Sequence, residues 1–156
     1  MPQNKAKTEI HIARNPAQKA QAKDLCLDYA SWLGIDLHFQ GFSEEMQHFP
    51  GAYNPVLLAT VNGTCAGTVC LKPHTNDVCE MKRLFVKPEY HGYGIGSLLC
   101  ENLINAAREQ GYKIMLLDSL ERLKPAIALY RKFGFEECAA YNNNPEKDVV
   151  YMQLKL

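Results

Sequence analysis

Residues 79–99 read CEMKRLFVKPEYHGYGIGSLL, and this stretch decides the fold because it predicts a strand, a tight turn and a helix in succession. Val86 closes a run of residues that favour strands, and Pro88 ends it because proline cannot donate a hydrogen bond to a neighbouring strand. Alternate glycines in residues 92–96 then allow the backbone to turn sharply and to approach a ligand closely. Apolar residues recur at helical spacing from Ile95 onward, so the free N–H groups of a helix start face this turn. A phosphate or pyrophosphate is the ligand that suits such a position.

Several kinds of phosphate-binding loop contain such glycines, and the spacing distinguishes them. A P-loop requires the pattern GxxxxGK[ST], and neither its spacing nor its lysine is present in this sequence. A dinucleotide fingerprint requires GxGxxG. Residues 92–96 read GYGIG instead, with Ser97 and Leu99 where a third glycine would be needed. Binding of ATP or NAD through these glycines is therefore disfavoured.

The remaining kind is the pyrophosphate loop of acyl-CoA-dependent N-acyltransferases, which follows a strand ending in Val-x-Pro. Residues 86–96, VKPEYHGYGIG, resemble this loop, which is the signature of the GNAT superfamily. His91 stands where the family usually has arginine or glutamine. We expect this imidazole either to touch a phosphate of CoA or to lie solvated beside it, and the backbone contacts do not depend on it.

A second motif resembles the same superfamily. Residues 126–135, AIALYRKFGF, are similar to the late GNAT helix that ends in (L/F)Y-x-x-x-GF. The asparagine often found seven residues before the tyrosine is replaced here by Leu123. Two separate motifs at the proper separation identify the chain as a member of the superfamily. A finer similarity, to small and mostly bacterial GNAT proteins whose substrates are largely unassigned, names no acceptor.

The composition is that of an ordinary globular protein. The chain has 156 residues, of which 47% are hydrophobic and 22% are charged. Lysine plus arginine and aspartate plus glutamate number 17 each, so the chain lacks the basic excess of a nucleic-acid or membrane-surface binder. The sequence shows neither a long apolar run nor a signal peptide, which predicts a cytoplasmic protein. Its six cysteines form no CxxC pair and have no zinc-finger spacing, so we expect reduced, buried thiols and no metal.

The rest of the chain alternates between helical and strand patterns. The predicted strands lie at residues 8–13, 56–61, 66–71, 79–86, 113–118, 135–140 and 149–154, and the predicted helices at 16–33, 43–48, 95–110 and 124–133. Asn15 and Gly34 are the expected ends of the first helix, Ser43 is the expected cap of the second, and 62–63 is a hairpin turn. This order, β-α-α-β-β-β-α-β-α-β-β, predicts a single α/β domain over residues 1–156. The resemblance implies a mixed, mostly antiparallel and twisted sheet flanked by helices.

The resemblance also implies where acetyl-CoA, the expected cosubstrate, would bind. The backbone of the predicted strand at residues 79–86 would pair with the pantetheine arm. An N–H group near Phe85 would face the thioester oxygen. The pyrophosphate would lie on the N–H groups of the glycine turn and the helix start. The cofactor-binding residues expected on this basis are Leu84, Phe85, Val86, His91, Gly92, Tyr93, Gly94, Ile95, Gly96 and Ser97.

Two residues are predicted to be catalytic. Tyr130 matches the family tyrosine that lies near the thiol sulfur, so we expect it to act as the general acid. From the local pattern alone it could equally be a core tyrosine. Glu80 falls in register with a strand glutamate that some relatives use as general base. The alternative for Glu80 is a salt bridge to Lys82 or to a neighbouring strand, because a buried carboxylate needs a partner.

The acceptor site is less clearly marked. Strand alternation places Lys82 and Arg83 on opposite faces, so only one of them is expected to line the acceptor site. A cation there would suit a carboxylate or phosphate on the acceptor. Asp36, His38 and Gln40 lie where relatives build their acceptor wall, and each is otherwise an ordinary loop residue.

These observations predict an acetyl-CoA-dependent N-acetyltransferase that acts by direct attack in a ternary complex. The expected acceptor is the primary amine of a small molecule, such as an amino acid or another anionic amine. Alternatives are an acetyltransferase for protein lysines or N-termini, and an acyl-CoA-binding regulatory domain without turnover. The length of the acyl chain stays open, and a homodimer is common among relatives.

Overall fold

A computed structural model describes residues 6–34 and 41–156 of the chain. The strands are β1 (Thr8–Ile12), β2 (Val56–Val61), β3 (Thr64–Pro73), β4 (Val78–Val86), β5 (Ile114–Leu120), β6 (Glu136–Glu137) and β7 (Val149–Lys155). The α-helices are α1 (Pro16–Leu33), α2 (Phe42–His48), α3 (Ile95–Glu109) and α4 (Lys124–Lys132). The predicted order of elements is confirmed. Asp36, His38 and Gln40 lie outside the described residues.

The strands form one sheet in the order β1-β2-β3-β4-β5-β7-β6. Every pair of neighbours is antiparallel except β4 and β5. The predicted mixed, mostly antiparallel sheet is therefore confirmed. No helix within the described residues is long and apolar enough to span a bilayer.

The first helix begins and ends as its sequence predicts. The Asn15 side chain accepts a hydrogen bond from the Gln18 N–H at 2.8 Å, and the Gln18 side chain accepts from the Asn15 N–H at 3.3 Å. This reciprocal pair is a capping box. Gly34 ends the helix with a φ of +69°, a conformation that glycine adopts without steric cost.

Two local predictions are wrong. Gly41 is the N-cap of α2, and its φ of +66° turns the chain into the helix. Ser43 therefore lies within the first turn of α2 and is not its cap. The strand expected over 135–140 is shorter, since β6 covers only Glu136–Glu137. The chain leaves the sheet edge soon afterward, and Tyr141 reaches across to the side chain of Glu80.

The middle of β4 contains a bulge that alternation could not predict. Lys82 pairs with Cys70 and Phe85 pairs with Thr68, so β4 has one residue more than β3 between these pairs. Arg83 adopts a φ of +61° at this point. A bulge of this kind bends the strand and interrupts its ladder of hydrogen bonds.

The bulge changes which face each side chain of β4 occupies. Met81 and Leu84 pack in the core beneath α3 and α4, whereas Phe85 packs in the second core beneath α1. Residues after the bulge are thus shifted by one position relative to strict alternation. Arg83 contacts Glu45 of α2, so it lies on the same face as Lys82. The prediction that Lys82 and Arg83 occupy opposite faces is wrong.

Candidate active site

A large cavity opens where the two parallel strands separate. β4 and β5 are paired only from Val78 to Glu80 on one strand and from Ile114 to Leu116 on the other. Beyond these pairs the strands diverge, and a cavity of about 700 Å³ lies between residues 81–86 of β4 and 117–120 of β5. The start of α3, one side of α4 and the end of α1 complete its wall. The cavity therefore connects the α3 and α4 face of the sheet with the α1 face.

The glycine turn forms one end of this cavity. Gly92 and Gly94 have φ angles of +89° and +75°, and a Cβ on either would meet no atom within 4 Å. These glycines are therefore needed for backbone conformation, and the space beside them is open. Gly96 is needed for packing, because a Cβ there would lie 3.2 Å from Leu129 of α4. The open turn at a helix start fits a pyrophosphate.

His91 has a local partner within the structure. Its Nε2 lies 2.9 Å from the backbone carbonyl of Val86, which can only accept, so this nitrogen carries the hydrogen. The ring thereby ties the turn to the end of β4. Val86, Gly92 and His91 all line the cavity, whereas whether the imidazole meets a phosphate stays a prediction.

Tyr130 lies on the cavity wall, on the side of α4 that faces the sheet. Only 7% of its surface is exposed, and its ring packs against Phe135 with the centroids 5.8 Å apart. Burial raises the pKa of the Tyr130 hydroxyl well above its usual value, and nearby Cys100, Tyr29 and Asp118 raise it further. Tyr130 is thus neutral near pH 7 and able to donate a proton.

Glu80 belongs to a buried polar network behind the wall. The Tyr141 hydroxyl donates to Glu80 Oε2 at 2.7 Å, and Lys82 Nζ lies 3.6 Å from the same oxygen. The same Nζ lies 4.0 Å from Asp118 Oδ1. Lys82 and Asp118 line the cavity, but Glu80 is not among the described residues of its wall. The structure therefore contains the salt bridge between Glu80 and Lys82, which was the alternative to a role of Glu80 as general base.

Asp118 was not predicted from the sequence, although it is the carboxylate of this network that reaches the cavity. Its Oδ2 accepts hydrogen bonds from Asn142 Nδ2 at 2.9 Å and from Asn144 Nδ2 at 3.4 Å. Tyr151 in turn holds Asn142 through its hydroxyl, which lies 2.9 Å from Oδ1. Both asparagines belong to the run NNNP at 142–145, whose composition is typical of a turn. The polar side chains of these asparagines indicate that they have hydrogen-bond partners, but no local sequence pattern identifies Asp118 as the partner.

Arg83 also lines the cavity, but its charge is matched by a carboxylate. Its Nε and Nη2 donate to the two carboxylate oxygens of Glu45 at 3.1 and 2.9 Å, and the Phe42 ring lies 5.1 Å from its Cζ. Burial alone would lower the pKa of the guanidinium, but the hydrogen bonds and charge of Glu45, together with Tyr53, more than offset this and raise the pKa. Arg83 and Lys82 are both paired, so the reason for expecting an anionic acceptor does not hold.

Aromatic side chains form the part of the wall beneath α1. The ring of Phe85 lies 5.5 Å from that of Tyr29 and 6.0 Å from that of Trp32, measured between centroids. Trp32 remains 49% exposed. Burial raises the pKa of the Tyr29 hydroxyl, the charge of Arg83 lowers this pKa and the charge of Asp118 raises it. The hydroxyl therefore lies near both charges. The helical pattern of α1 did not single out these rings as site residues.

The described residues contain no group of three histidine, cysteine or acidic side chains arranged to hold a metal ion. The polar groups of the cavity wall include the backbone of the glycine turn, the neutral Tyr130 hydroxyl and Asp118 of the carboxylate network. Such a set can bind a phosphate-containing ligand at one end, donate a proton in the middle and hold a cationic group at the other end.

Comparisons with known proteins agree with this geometry. The sequence profile of the acetyltransferase (GNAT) family matches residues 22–135. An uncharacterized N-acetyltransferase of Schizosaccharomyces pombe is 35% identical over 153 residues, which cover 94% of each chain. Another, from Dictyostelium discoideum, is 33% identical, and the match covers 87% of this chain and 94% of the relative.

Solved structures share the fold at lower sequence identity. A GNAT-family acetyltransferase from Staphylococcus aureus superposes with a TM-score of 0.77 at 19% identity, over 96% of this chain and 99% of the other. An acetyltransferase structure from Salmonella typhimurium that contains acetyl-CoA gives a TM-score of 0.70 at 22% identity, over 96% and 94% of the two chains.

Proposed function

The chain belongs to the GNAT acetyltransferase family and is an acetyl-CoA-dependent N-acetyltransferase, and from this premise we propose that it acetylates the primary amine of a small molecule in a ternary complex. The observation that carries the proposal is the cavity between β4 and β5. It joins the glycine turn on one face of the sheet to a polar and aromatic wall on the other. Donor and acceptor can therefore meet inside it, and proximity supplies much of the rate.

The donor end would use mainly backbone groups. The turn at Gly92 and Gly94 and the start of α3 would hold the pyrophosphate, while β4 from Leu84 to Val86 would pair with the pantetheine arm. β4 pairs with β5 only as far as Glu80, so its later residues are outside the ladder on that side and face the cavity. An N–H group near Phe85 would face the thioester oxygen and stabilise its developing charge.

The reaction needs a base and an acid. The amine nitrogen attacks the thioester carbon, the new C–N bond forms and the C–S bond breaks. We assign the amine proton to the carboxylate network, in which Glu80, the predicted base, is the inner member and Asp118 lies at the wall. Tyr130 gives its hydroxyl proton to the departing sulfur, because its raised pKa keeps that proton in place until the thiolate forms.

The test is Tyr130→Phe, followed by release of free CoA thiol from acetyl-CoA with a panel of amines. We expect kcat to fall by about 10²-fold to 10³-fold while the Kd for acetyl-CoA changes little, because only proton donation is lost. Tyr112→Phe is the matched control, since Tyr112 packs against the same core outside the cavity wall. Unchanged turnover in Tyr130→Phe would remove Tyr130 as the acid.

The same panel separates the other functions. Turnover on lysine peptides or protein N-termini alone would identify a protein acetyltransferase. Tight binding of acetyl-CoA without turnover on any amine would identify a regulatory domain, and failure to bind acetyl-CoA would refute the proposal as a whole. We also propose a reducing compartment such as the cytoplasm, because all six cysteines are free thiols in the structure.

A further inference from the structure

The acceptor end of the cavity contains cations whose charges are already balanced. Lys82, Arg83 and Arg122 are the lysine and arginine residues of the described wall. Arg83 is bound to Glu45 at 2.9 Å, and Arg122 lies 2.9 Å from Asp148 and 3.7 Å from Glu146. An acceptor carboxylate would have to compete with each of these protein carboxylates for its cation.

The network around Lys82 carries an excess of negative charge. Its ammonium lies 3.6 Å from Glu80 and 4.0 Å from Asp118, so two carboxylates face one cation in this group. Asp118 is the member at the cavity wall, and the side chains of Asn142 and Asn144 fix the orientation of its carboxylate. A protonated amine entering the cavity therefore meets a fixed acceptor of hydrogen bonds with favourable charge.

Another part of the wall is lined by aromatic rings. The rings of Tyr29, Trp32 and Phe85 lie within 5.5 to 6.5 Å of one another, measured between centroids. Trp32 is 49% exposed although it is the largest apolar side chain of the chain, so much of its ring is available to a ligand. Aromatic surfaces of this kind bind apolar bodies, aromatic ones above all.

Given the proposed acetyltransferase function, on which this inference rests, we propose that the acceptor is a primary amine with an aromatic or flat apolar body and no carboxylate. Its ammonium faces Asp118 and its body lies against Trp32. The acceptor thus belongs to the arylalkylamine class rather than to the amino acids expected from the sequence. Asp118 and Trp32 are the residues that determine this specificity.

The test compares amines that differ in one feature each. 2-Phenylethylamine, phenylalanine and propylamine share a primary amine, while phenylalanine adds a carboxylate and propylamine lacks the ring. We expect kcat/KM for 2-phenylethylamine to exceed that for phenylalanine by at least about 100-fold, because the added carboxylate would face Asp118. We expect kcat/KM for 2-phenylethylamine to exceed that for propylamine by about 10-fold, because only the former has a ring.

Two variants assign the effect to residues. Trp32→Ala should lower kcat/KM for 2-phenylethylamine by about 10-fold and leave propylamine nearly unchanged. Leu27→Ala is its matched control, since Leu27 is 43% exposed on the same helix and lies outside the described cavity wall. Asp118→Asn should raise KM for 2-phenylethylamine and reduce the discrimination against phenylalanine, while the Kd for acetyl-CoA is kept.

A direct binding measurement accompanies the kinetics. Trp32 is the single tryptophan of the chain, so fluorescence of the CoA complex titrated with 2-phenylethylamine should change saturably. Turnover of phenylalanine equal to or better than that of 2-phenylethylamine would overturn this inference and leave the proposed function standing. Turnover of lysine peptides alone, no turnover with any amine, or failure to bind acetyl-CoA would refute the proposed function itself, so the two failures are distinguishable.

Discussion

Replacing Arg83 with methionine tests how the bulge of β4 is held in place. The Arg83 side chain is 3% exposed, and its partner Glu45 is 20% exposed. Both carboxylate oxygens of Glu45 accept from Arg83, at 3.1 and 2.9 Å. Arg83→Met leaves this carboxylate largely buried without its charged partner. Breaking a buried pair in this way costs about 3–5 kcal/mol.

The partial exposure of Glu45 places the expected loss at the low end, about 3 kcal/mol in the free energy of unfolding. Urea denaturation followed by circular dichroism measures this loss. With a slope of about 2 kcal/mol/M, the midpoint should fall by about 1.5 M. Because the same residue lies at the bulge beside the proposed thioester site, the Kd for acetyl-CoA should also rise.

The controls separate burial from the presence of an ion pair. Arg131 and Glu137 form a pair at 3.0 Å whose side chains are 56% and 64% exposed. Arg131→Met should cost less than about 1 kcal/mol. In the double variant Arg83→Met and Glu45→Met, no carboxylate is left unpaired, so most of the stability should return. A single-variant loss as small as that of Arg131→Met, or no recovery in the double variant, would refute the reasoning.

Other features of the fold give further predictions. Asn15→Ala removes the cap of α1 and should lower the free energy of unfolding by about 1 kcal/mol in urea denaturation; an unchanged midpoint would contradict the capping box. Gly67→Ala would place a Cβ 2.8 Å from the carbonyl oxygen of Phe85, so it should destabilise by about 1–3 kcal/mol and weaken acetyl-CoA binding in calorimetry. Burial raises the pKa of Cys79 and of Cys100 to about 12, so mass spectrometry should find both unmodified by a thiol reagent at pH 8 until the protein unfolds; modification of either in the native state would contradict their burial.

The elements set by local rules were predictable from the sequence. Asn15 and Gly34 define the ends of α1 because capping depends on a few adjacent residues. The hairpin between β2 and β3 follows from Asn62 and Gly63, which both adopt positive φ angles, of 50° and 83°. The family resemblance implied a mixed, mostly antiparallel sheet but did not say that β4 and β5 are the parallel pair, since strand patterns alone do not give the order of a sheet.

The bulge at Arg83 was not predictable because its cause is tertiary. A non-glycine residue with a φ of +61° is uncommon, and residues 81–86 contain neither glycine nor asparagine to suggest one. The side chain that accompanies this conformation is bound by Glu45, 38 residues earlier in the chain. Alternation therefore failed from Arg83 onward, and with it the assignment of faces.

The donor and acceptor ends of the cavity differ in how the sequence encodes them. In the proposed complex, acetyl-CoA would be recognised mainly by backbone groups, whose conformation needs glycines and a helix start within residues 86–97, so a short motif is enough. The proposed acceptor would meet side chains from separate segments. Trp32 comes from α1, Asp118 comes from β5, and Tyr141, which donates to Glu80, is 61 residues away from it.

Charge at the acceptor end also depends on partners rather than on residue type. Lys82 and Arg83, adjacent in the sequence, suggest a site for anions, yet Glu80, Asp118 and Glu45 face them in the fold. The electrostatic field inside a cavity is the sum over all of these groups, so the charge of Lys82 or Arg83 alone does not give its sign. The type of two adjacent residues in a strand therefore does not give the charge that a ligand meets, and the proposal for the acceptor class rests on the carboxylates that face Lys82 and Arg83.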